Sequence, residues 1–584
     1  MRLSRSLALV PILAACATGR PSADPAPAAA RPAGSTAELP LKHAAQPTGP
    51  AITAGDLMTR LYVFADDSML GREAGTAGNV KGTEYIAAEA RRIGLEPAGE
   101  NGTYFQDVPL TVRALSAKSS LLAGGKPIAL GADVLPIPPV GGLPFASQRA
   151  FDGLQVVYGG RLSDPSSAIT PQQAAGKLVV LAAPLGPDGR PDFAFWKYPA
   201  LVRFFGASAI AIATLEQTPA EITGIFRQPA MELGSGATTA AGQPPRPAAM
   251  LVSASGAEQL LGAPLSGLKP GAAGRAVSGA FDFALAPSPA PARNVVAVLR
   301  GSDPALRNQY VAIGAHNDHV GVQDHDVDHD SLRAFNRVVR PMGADSPTRP
   351  ATADETARVR ALLDSLRAKH GGARADSIAN GADDDGSGSV SVLEIAQSLA
   401  TMPVKPKRSI LFVWHTGEEK GLYGSTWYTD HPTVPRDSIV AQLNIDMIGR
   451  GSATDLPAGG PGFLQLIGSR RLSTELGDLV ESTNARSNAG FNFDYSYDAD
   501  GHPENYYCRS DHYMYARYGI PIVFFSTGGH VDYHQVTDEP QYIDYPHMAR
   551  VATLVRDIAV NVANLDHRVV VDKPKPDPNG TCKQ

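Results

Sequence analysis

From residue 294 onward the chain alternates short apolar runs with amphipathic ones, and the apolar runs end on metal-type ligands. Runs at 294–299, 310–315, 409–414, 440–445 and 520–525 have the length and β-branched content of buried strands. Between and after them, 387–402 and 548–565 have helical periodicity, the first stopped by Pro403. Strands alternating with helices imply a mainly parallel sheet covered on both faces. The expected class is therefore α/β, with a mixed, mainly parallel sheet sandwiched by helices. Open sheets of this kind place their sites beyond the carboxyl ends of strands.

The residues found at or after those ends are His316, Glu419, Asp446 and His534, with Glu418 directly before one of them, and Asp384 joins them from the run that opens the helix at 387–402. Two histidines and three carboxylates suit zinc, and one carboxylate can bridge two ions. Glu418 is left over as a base toward the attacking water. Asp318, two residues after His316, is placed to support that imidazole from behind. His319 is extra to the set and reads as a structural or solvent-facing histidine. The run Asp383-Asp384-Asp385 opens a helix, where the dipole favours negative charge. Neighbouring carboxylates such as Glu418 and Glu419 repel unless cations or a shared proton compensate.

Other stretches have a different texture. Residues 1–16 carry two arginines, an apolar run from Leu7 to Ala15 and then Cys16, as an export signal with a lipidation site does. Residues 17–50 are rich in Pro, Ala, Ser and Thr and are expected to be a disordered tether. The expected location is the cell envelope, lipid-anchored or secreted, with the lipid as the only membrane contact. Helical spacing recurs at Leu57, Leu61 and Phe64 and again at Ile86, Ala90 and Ile93, before Gly94. Residues 140–283 show short β-rich runs between Pro/Gly/Ala connectors and carry no ligand cluster, the mark of an inserted non-catalytic domain.

The length of 584 residues leaves room for two or three domains, and a formal charge of −6 carries no nucleic-acid signature. With Cys16 assigned to lipid, Cys508 and Cys582 remain, either as a disulfide or as two separate thiols.

The motifs together resemble the M28 family of zinc peptidases. The matching pieces are 314–321 around His316, the acidic loop 381–388, Gly417-Glu418-Glu419, 444–449 around Asp446, Ser510-Asp511-His512 and Asp532-Tyr533-His534. The resemblance covers about 60–570. It assigns 51–139 and 284–570 to the peptidase domain, and 140–283 to a protease-associated (PA) domain. It implies two Zn2+ ions, one held by His316 and Asp446, the other by Glu419 and His534, with Asp384 bridging. Glu418 becomes the general base and acid, and Tyr507, with Tyr506 as competitor, a helper for the oxyanion. The implied activity is an aminopeptidase acting on peptides. A glutamate-releasing carboxypeptidase shares the same ligands; a one-zinc glutaminyl cyclase and a receptor-type binding protein are the remoter alternatives.

One departure stands out. An insertion at 324–375 separates His316 from Asp384. Its start, 324–330, alternates acids and histidines as an accessory-cation loop would. It lacks the glycine and terminal glutamate of an EF-hand, so a solvated acidic loop is the plainer expectation. Val359, Leu362, Leu363 and Leu366 predict a helix that borders the cleft.

Overall fold

The protein is described from a computed structural model, in which residues 39–139, 145–146, 148–162, 164, 168–183, 199–234, 246–456, 459–487 and 489–584 are described. The signal-like segment with Cys16 and the first part of the tether lie outside the described residues. No helix among the described residues is long and apolar enough to cross a membrane.

A nine-stranded sheet forms the centre. Its four middle strands, in the order Ser409–His415, Tyr310–His316, Ile439–Ile445 and Ile522–Ser526, are all parallel. Each is buried along its whole length, which is why each reads as an unbroken apolar run. Ala292–Leu299 and Phe463–Ile467 close the parallel core on its two sides, both antiparallel to their inner neighbours. The helices Ala54–Phe64, Ala77–Ile93, Gly388–Thr401 and Tyr545–Ala563 pack against one another, and the last three also contact the sheet. The helix Ala77–Ile93 ends where the periodicity predicts, at Gly94, whose φ of 86° suits a glycine cap.

Residues 110–287 build two further sheets. One has five strands, with Val156–Arg161, Leu178–Ala182, Ala209–Ala213 and Ala248–Val252 parallel and Val134–Ile137 antiparallel at one edge. The other has six antiparallel strands along Val277–Pro287. These sheets recruit strands from Leu110 onward, ahead of the compositional change near residue 140, because Leu110–Leu115 pairs with Val277–Pro287.

Two expectations are corrected. Residues 40–50 are not a free tether: Thr48 donates to Gln397 (2.9 Å), Asp56 accepts from the Gly49 N–H, and Tyr62 donates to the Pro40 carbonyl (the first two at 2.9 Å). Nor is 324–330 a loop. Gly321–Asp328 is a strand paired antiparallel with Ala375–Ala379 at its two ends, with the exposed Asp324, His325 and Asp326 bulging between, and the helix His329–Val339 follows at once. Asp328 and Asp330 are engaged by Arg367 (2.5 Å) and Arg374 (2.7 Å). The predicted helix of the insertion is present as Ala353–His370, with a capping box of Thr352 and Glu355. Cys508 and Cys582 form a disulfide.

Two histidines are buried uncharged. His512 stacks on Phe524 at 4.7 Å, and burial pushes its pKa down to about 3. His329 is pushed down to about 4 by burial and by Arg374 and Arg333. The unfolded chain takes up these protons near pH 6.5. The folded values are lower, so stability is complete above pH 6.5 and is lost as pH falls toward 4 and 3. For His512 the full loss is on the order of 5 kcal/mol, at about 1.4 kcal/mol per pH unit. Urea-unfolding midpoints measured from pH 7 to pH 4 are expected to fall steadily, and His512→Gln is expected to flatten that slope.

Candidate metal centre

Three strand ends converge on one cleft. The strand Tyr310–His316 delivers His316 as its last residue, Ser409–His415 leads through Thr416 and Gly417 to Glu418 and Glu419, and Ile439–Ile445 leads into Asp446. Asp384 comes from the turn before the helix Gly388–Thr401, and His534 from the loop after Ile522–Ser526. All five expected ligands are thus brought together.

The donors fall into two groups that share Asp384. On one side the Asp384 Oδ1 lies 3.1 Å from His316 Nε2, which is 3.6 Å from Asp446 Oδ1. On the other side Asp384 Oδ2 lies 3.0 Å from His534 Nε2, itself 2.9 Å from Glu419 Oε2. The two oxygens of one carboxylate therefore face different partners, as a bridging ligand requires. His319, read from sequence as structural or solvent-facing, sits in the second group with its Nδ1 2.8 Å from Glu419 Oε1.

The chemistry of the donors fits divalent cations. Glu419 Oε1, Asp446 Oδ1, His534 Nε2 and both nitrogens of His319 are buried without a hydrogen-bond partner. Orphaned polar atoms of this kind cost free energy unless something satisfies them. Nitrogen and carboxylate oxygen donors together suit zinc. Asp384 is held well below the usual carboxylate range: burial opposes ionisation, but His316 and His534 outweigh it. Glu419 is likewise held at about 2, against burial and Asp384, by His534 and His319. Both stay ionised and available as ligands.

The neighbouring acids have other work. Asp385 Oδ2 accepts from the His316 N–H at 3.0 Å, and its Oδ1 accepts from Gly388 (2.9 Å) and Met447 (3.2 Å). Asp383 accepts from Gly449 at 2.6 Å. Asp538 accepts from the N–H groups of both Asp383 (2.9 Å) and Asp384 (3.1 Å). Arg72, fully buried, donates to the carbonyls of Asn380 (2.6 Å) and Gly381 (2.9 Å) and so fixes the turn from outside. Of three consecutive aspartates, one faces the donor groups and two tie backbone together.

The supports of the ligands are specific. His316 Nδ1 lies 3.1 Å from the carbonyl oxygen of Asp318, whereas the Asp318 carboxylate is 3.8 Å away. That carboxylate instead accepts from the Glu418 N–H at 3.1 Å. Burial pushes Asp318 up to about 7. Asp318 thus orients His316 through its backbone and Glu418 through its side chain. Ser510 donates to Asp446 Oδ2 at 2.7 Å and accepts from Asn444 at 3.0 Å. Glu418 lines the cleft beside Asp384, Asp446 and His534. Burial, then Glu419 and Asp446, push its pKa well above the ordinary range, against the pull of His316.

Tyr507 is not part of the cleft lining. It is buried against Tyr513 and His512, with Arg471 over its ring at 4.3 Å. Tyr506 and Tyr533 line the cleft instead, with Asp345 and Arg509. The short helix Tyr506–Cys508 turns neighbouring side chains to different sides, a distinction that two adjacent tyrosines do not carry in sequence. Asp345 comes from the insertion and lies 2.9 Å from Arg509. The insertion also grips the His534 loop: Arg333 pairs with Asp532 at 2.7 Å, Asn336 donates to the Val531 carbonyl at 3.2 Å, and the Ala344 N–H to that of Tyr533 at 3.1 Å. Of the expected accessory-cation run, only His329 belongs to a possible donor group, with Asp376 and Glu539.

The model of the peptidase family M28 matches residues 294–559, a span that contains every ligand above. Leupeptin-inactivating enzyme 1 of Streptomyces exfoliatus is 30% identical over 154 residues, 26% of this chain and 30% of that protein. Leucine aminopeptidase 1 of Aspergillus oryzae is 30% identical over 196 residues, 32% of this chain and 47% of that protein. The chain therefore spans less than half the length of these curated relatives. An aminopeptidase structure from Aneurinibacillus sp. strain AM-1 aligns over 90% of this chain and 97% of that one, with a TM-score of 0.46 and 17% identity. The part of the chain that carries the candidate metal centre, residues 294–559, belongs to peptidase family M28.

Proposed function

We propose that the protein is a metallo-exopeptidase that uses two zinc ions to release N-terminal amino acids from peptides. The observation that carries this reading is the split of Asp384: its two oxygens serve two donor groups, beside a cleft lined by the free carboxylate Glu418. When bound, zinc supplies Lewis-acid polarisation of the scissile carbonyl and a nucleophile from water near neutral pH.

The chain's own residues supply the rest. His316, Asp384 and Asp446 hold one ion, and Asp384, Glu419 and His534 the other. Glu418 takes the proton of the attacking water on its carboxylate and returns it to the leaving amine. Its raised proton affinity suits that exchange. Asp318, through the Glu418 N–H, keeps the carboxylate turned to the cleft.

Aminopeptidase is favoured over carboxypeptidase by the charge of the cleft. Asp345, Asp384, Glu418 and Asp446 line it, and its arginine, Arg509, is already paired with Asp345 and lies 3.3 Å from the Tyr533 hydroxyl. With Asp384 and Asp446 taken by the ions, what separates the two readings is that the described lining offers no unpaired arginine to a free substrate carboxylate. The similarity to leucine aminopeptidase 1 of Aspergillus oryzae points the same way. Lipid attachment at Cys16 and a PA-type identity for the inserted sheets belong to the same proposal; the first is supported by the Leu13-Ala14-Ala15-Cys16 sequence, the second by the insert's mainly parallel five-stranded sheet.

Glu418→Gln is expected to keep its zinc content by atomic absorption while losing roughly 100-fold to 10,000-fold in turnover, the range for a general acid–base group. Retained turnover would remove Glu418 from the mechanism. A panel of aminoacyl chromogenic substrates is expected to be cleaved with a free N-terminus and spared when N-acetylated. Equal cleavage of both forms, or cleavage only of peptides with a free C-terminal glutamate, would replace the aminopeptidase reading.

A further inference from the structure

The M28 pattern accounts for five donors, but His319 is a sixth histidine or acid at the same centre. It is 0% exposed, and neither ring nitrogen has a hydrogen-bond partner. A buried imidazole left in that condition is destabilising unless something satisfies it. Its Nδ1 lies 2.8 Å from Glu419 Oε1 and 3.8 Å from Asp384 Oδ2, yet the contact with Glu419 is not aligned as a hydrogen bond. His534 Nε2 shows the same combination, close to two carboxylates and bonded to neither. Donors that approach one another without pointing at one another are converging on a common point.

The surroundings reserve this place for the ring. Gly381 has φ of 55°, and a Cβ there would come within 2.6 Å of the His319 ring. The His319 N–H donates to the Arg72 carbonyl at 3.3 Å, from the same arginine that clamps Gly381. The ring meets His534 edge-on, with centroids 5.5 Å apart.

We propose that His319 is a protein ligand to the ion held by Asp384, Glu419 and His534, so that the two cation pockets are unequal. The proposal rests on the two-zinc reading above and extends it. Four donors complete a tetrahedral shell, the arrangement of zinc sites that stay closed. The other pocket, with His316, Asp384 and Asp446, is one protein donor short and keeps a position for a ligand from outside. Of the four donors of the closed shell, His319 and Glu419 lie away from the cleft, whereas His534 and the shared Asp384 line it, as Asp446 of the other pocket does. The four-donor pocket therefore fills first and empties last, and exchange with solvent belongs to the three-donor pocket.

The test uses the purified chain, stripped with chelator and titrated with Zn2+ by calorimetry and with Co2+ by visible absorption. Wild type is expected to bind two ions in two steps, the first equivalent of Co2+ giving the intense d–d bands of a tetrahedral site. His319→Ala is expected to weaken the first step on the order of 100-fold, the upper end of what losing even an indirect support costs, and to dim its bands while the second step is unchanged. His319→Cys is expected to restore the first step and to add a thiolate-to-cobalt charge-transfer band, which no packing role could produce. Unchanged binding in His319→Ala, or, should that variant not fold, a folded His319→Cys without the band, would overturn the assignment. Fewer than two ions in wild type would instead overturn the two-zinc reading beneath it.

Discussion

One carboxylate, Asp384, is the point on which the centre depends. Its two oxygens answer two sets of donors, so its position must be right to a few tenths of an ångström in two directions at once. A side chain on a turn is poorly suited to that, and much of the surrounding structure corrects for it. Asp538 captures two successive N–H groups of the turn, Arg72 captures two of its carbonyls, and Asp385 ties it to His316 and to the segment after Asp446. The turn is thus bonded to the strands that carry the other ligands. Two non-glycine residues beside it adopt left-handed backbone, Met447 at φ 60° and His534 at φ 54°, conformations that persist only where neighbours enforce them.

Much of this was legible in the sequence because the sheet is buried. Strands covered on both faces must be apolar, so their ends are conspicuous, and polar residues placed there stand out as His316, Glu418, Glu419 and Asp446 did. The strand and helix bounds followed for the same reason, to within a residue or two at Tyr310–His316, Ser409–His415 and Ile439–Ile445. What did not follow was the division of labour among like residues. Asp384 was singled out among three chemically identical aspartates, but that Asp383 and Asp385 brace backbone follows only from the direction in which each points. Tyr506 and Tyr507 present the same difficulty, as do His316 and His319. The signal for His319 was its place three residues after a ligand, within the same motif; the signal for Tyr533 was its place beside His534. Proximity in sequence marked the neighbourhood without giving the direction.

The acids at 324–330 illustrate the converse. A run that alternates histidine and aspartate looks like a cation loop when its partners are unknown. Arg367 and Arg374 lie some forty residues later and satisfy Asp328 and Asp330 directly. The charge pattern was real, and arginines of the same insertion supply counter-charge to two of its acids.

That insertion leaves and re-enters the domain through a single pair of strands, Gly321–Asp328 and Ala375–Ala379. Because the entry and exit are zipped together, the length of polypeptide between them is not felt by the sheet; lengthening such a loop adds only a fraction of a kcal/mol of closure entropy per doubling, about 0.6 kcal/mol. Yet the far part of the loop supplies Asp345 to the cleft wall and grips the residues just before His534. The arrangement works like a cartridge behind a fixed socket. Exchange of its contents can reshape the cleft wall while the scaffold and the candidate metal centre stay as they are, so sequence change has a place to concentrate.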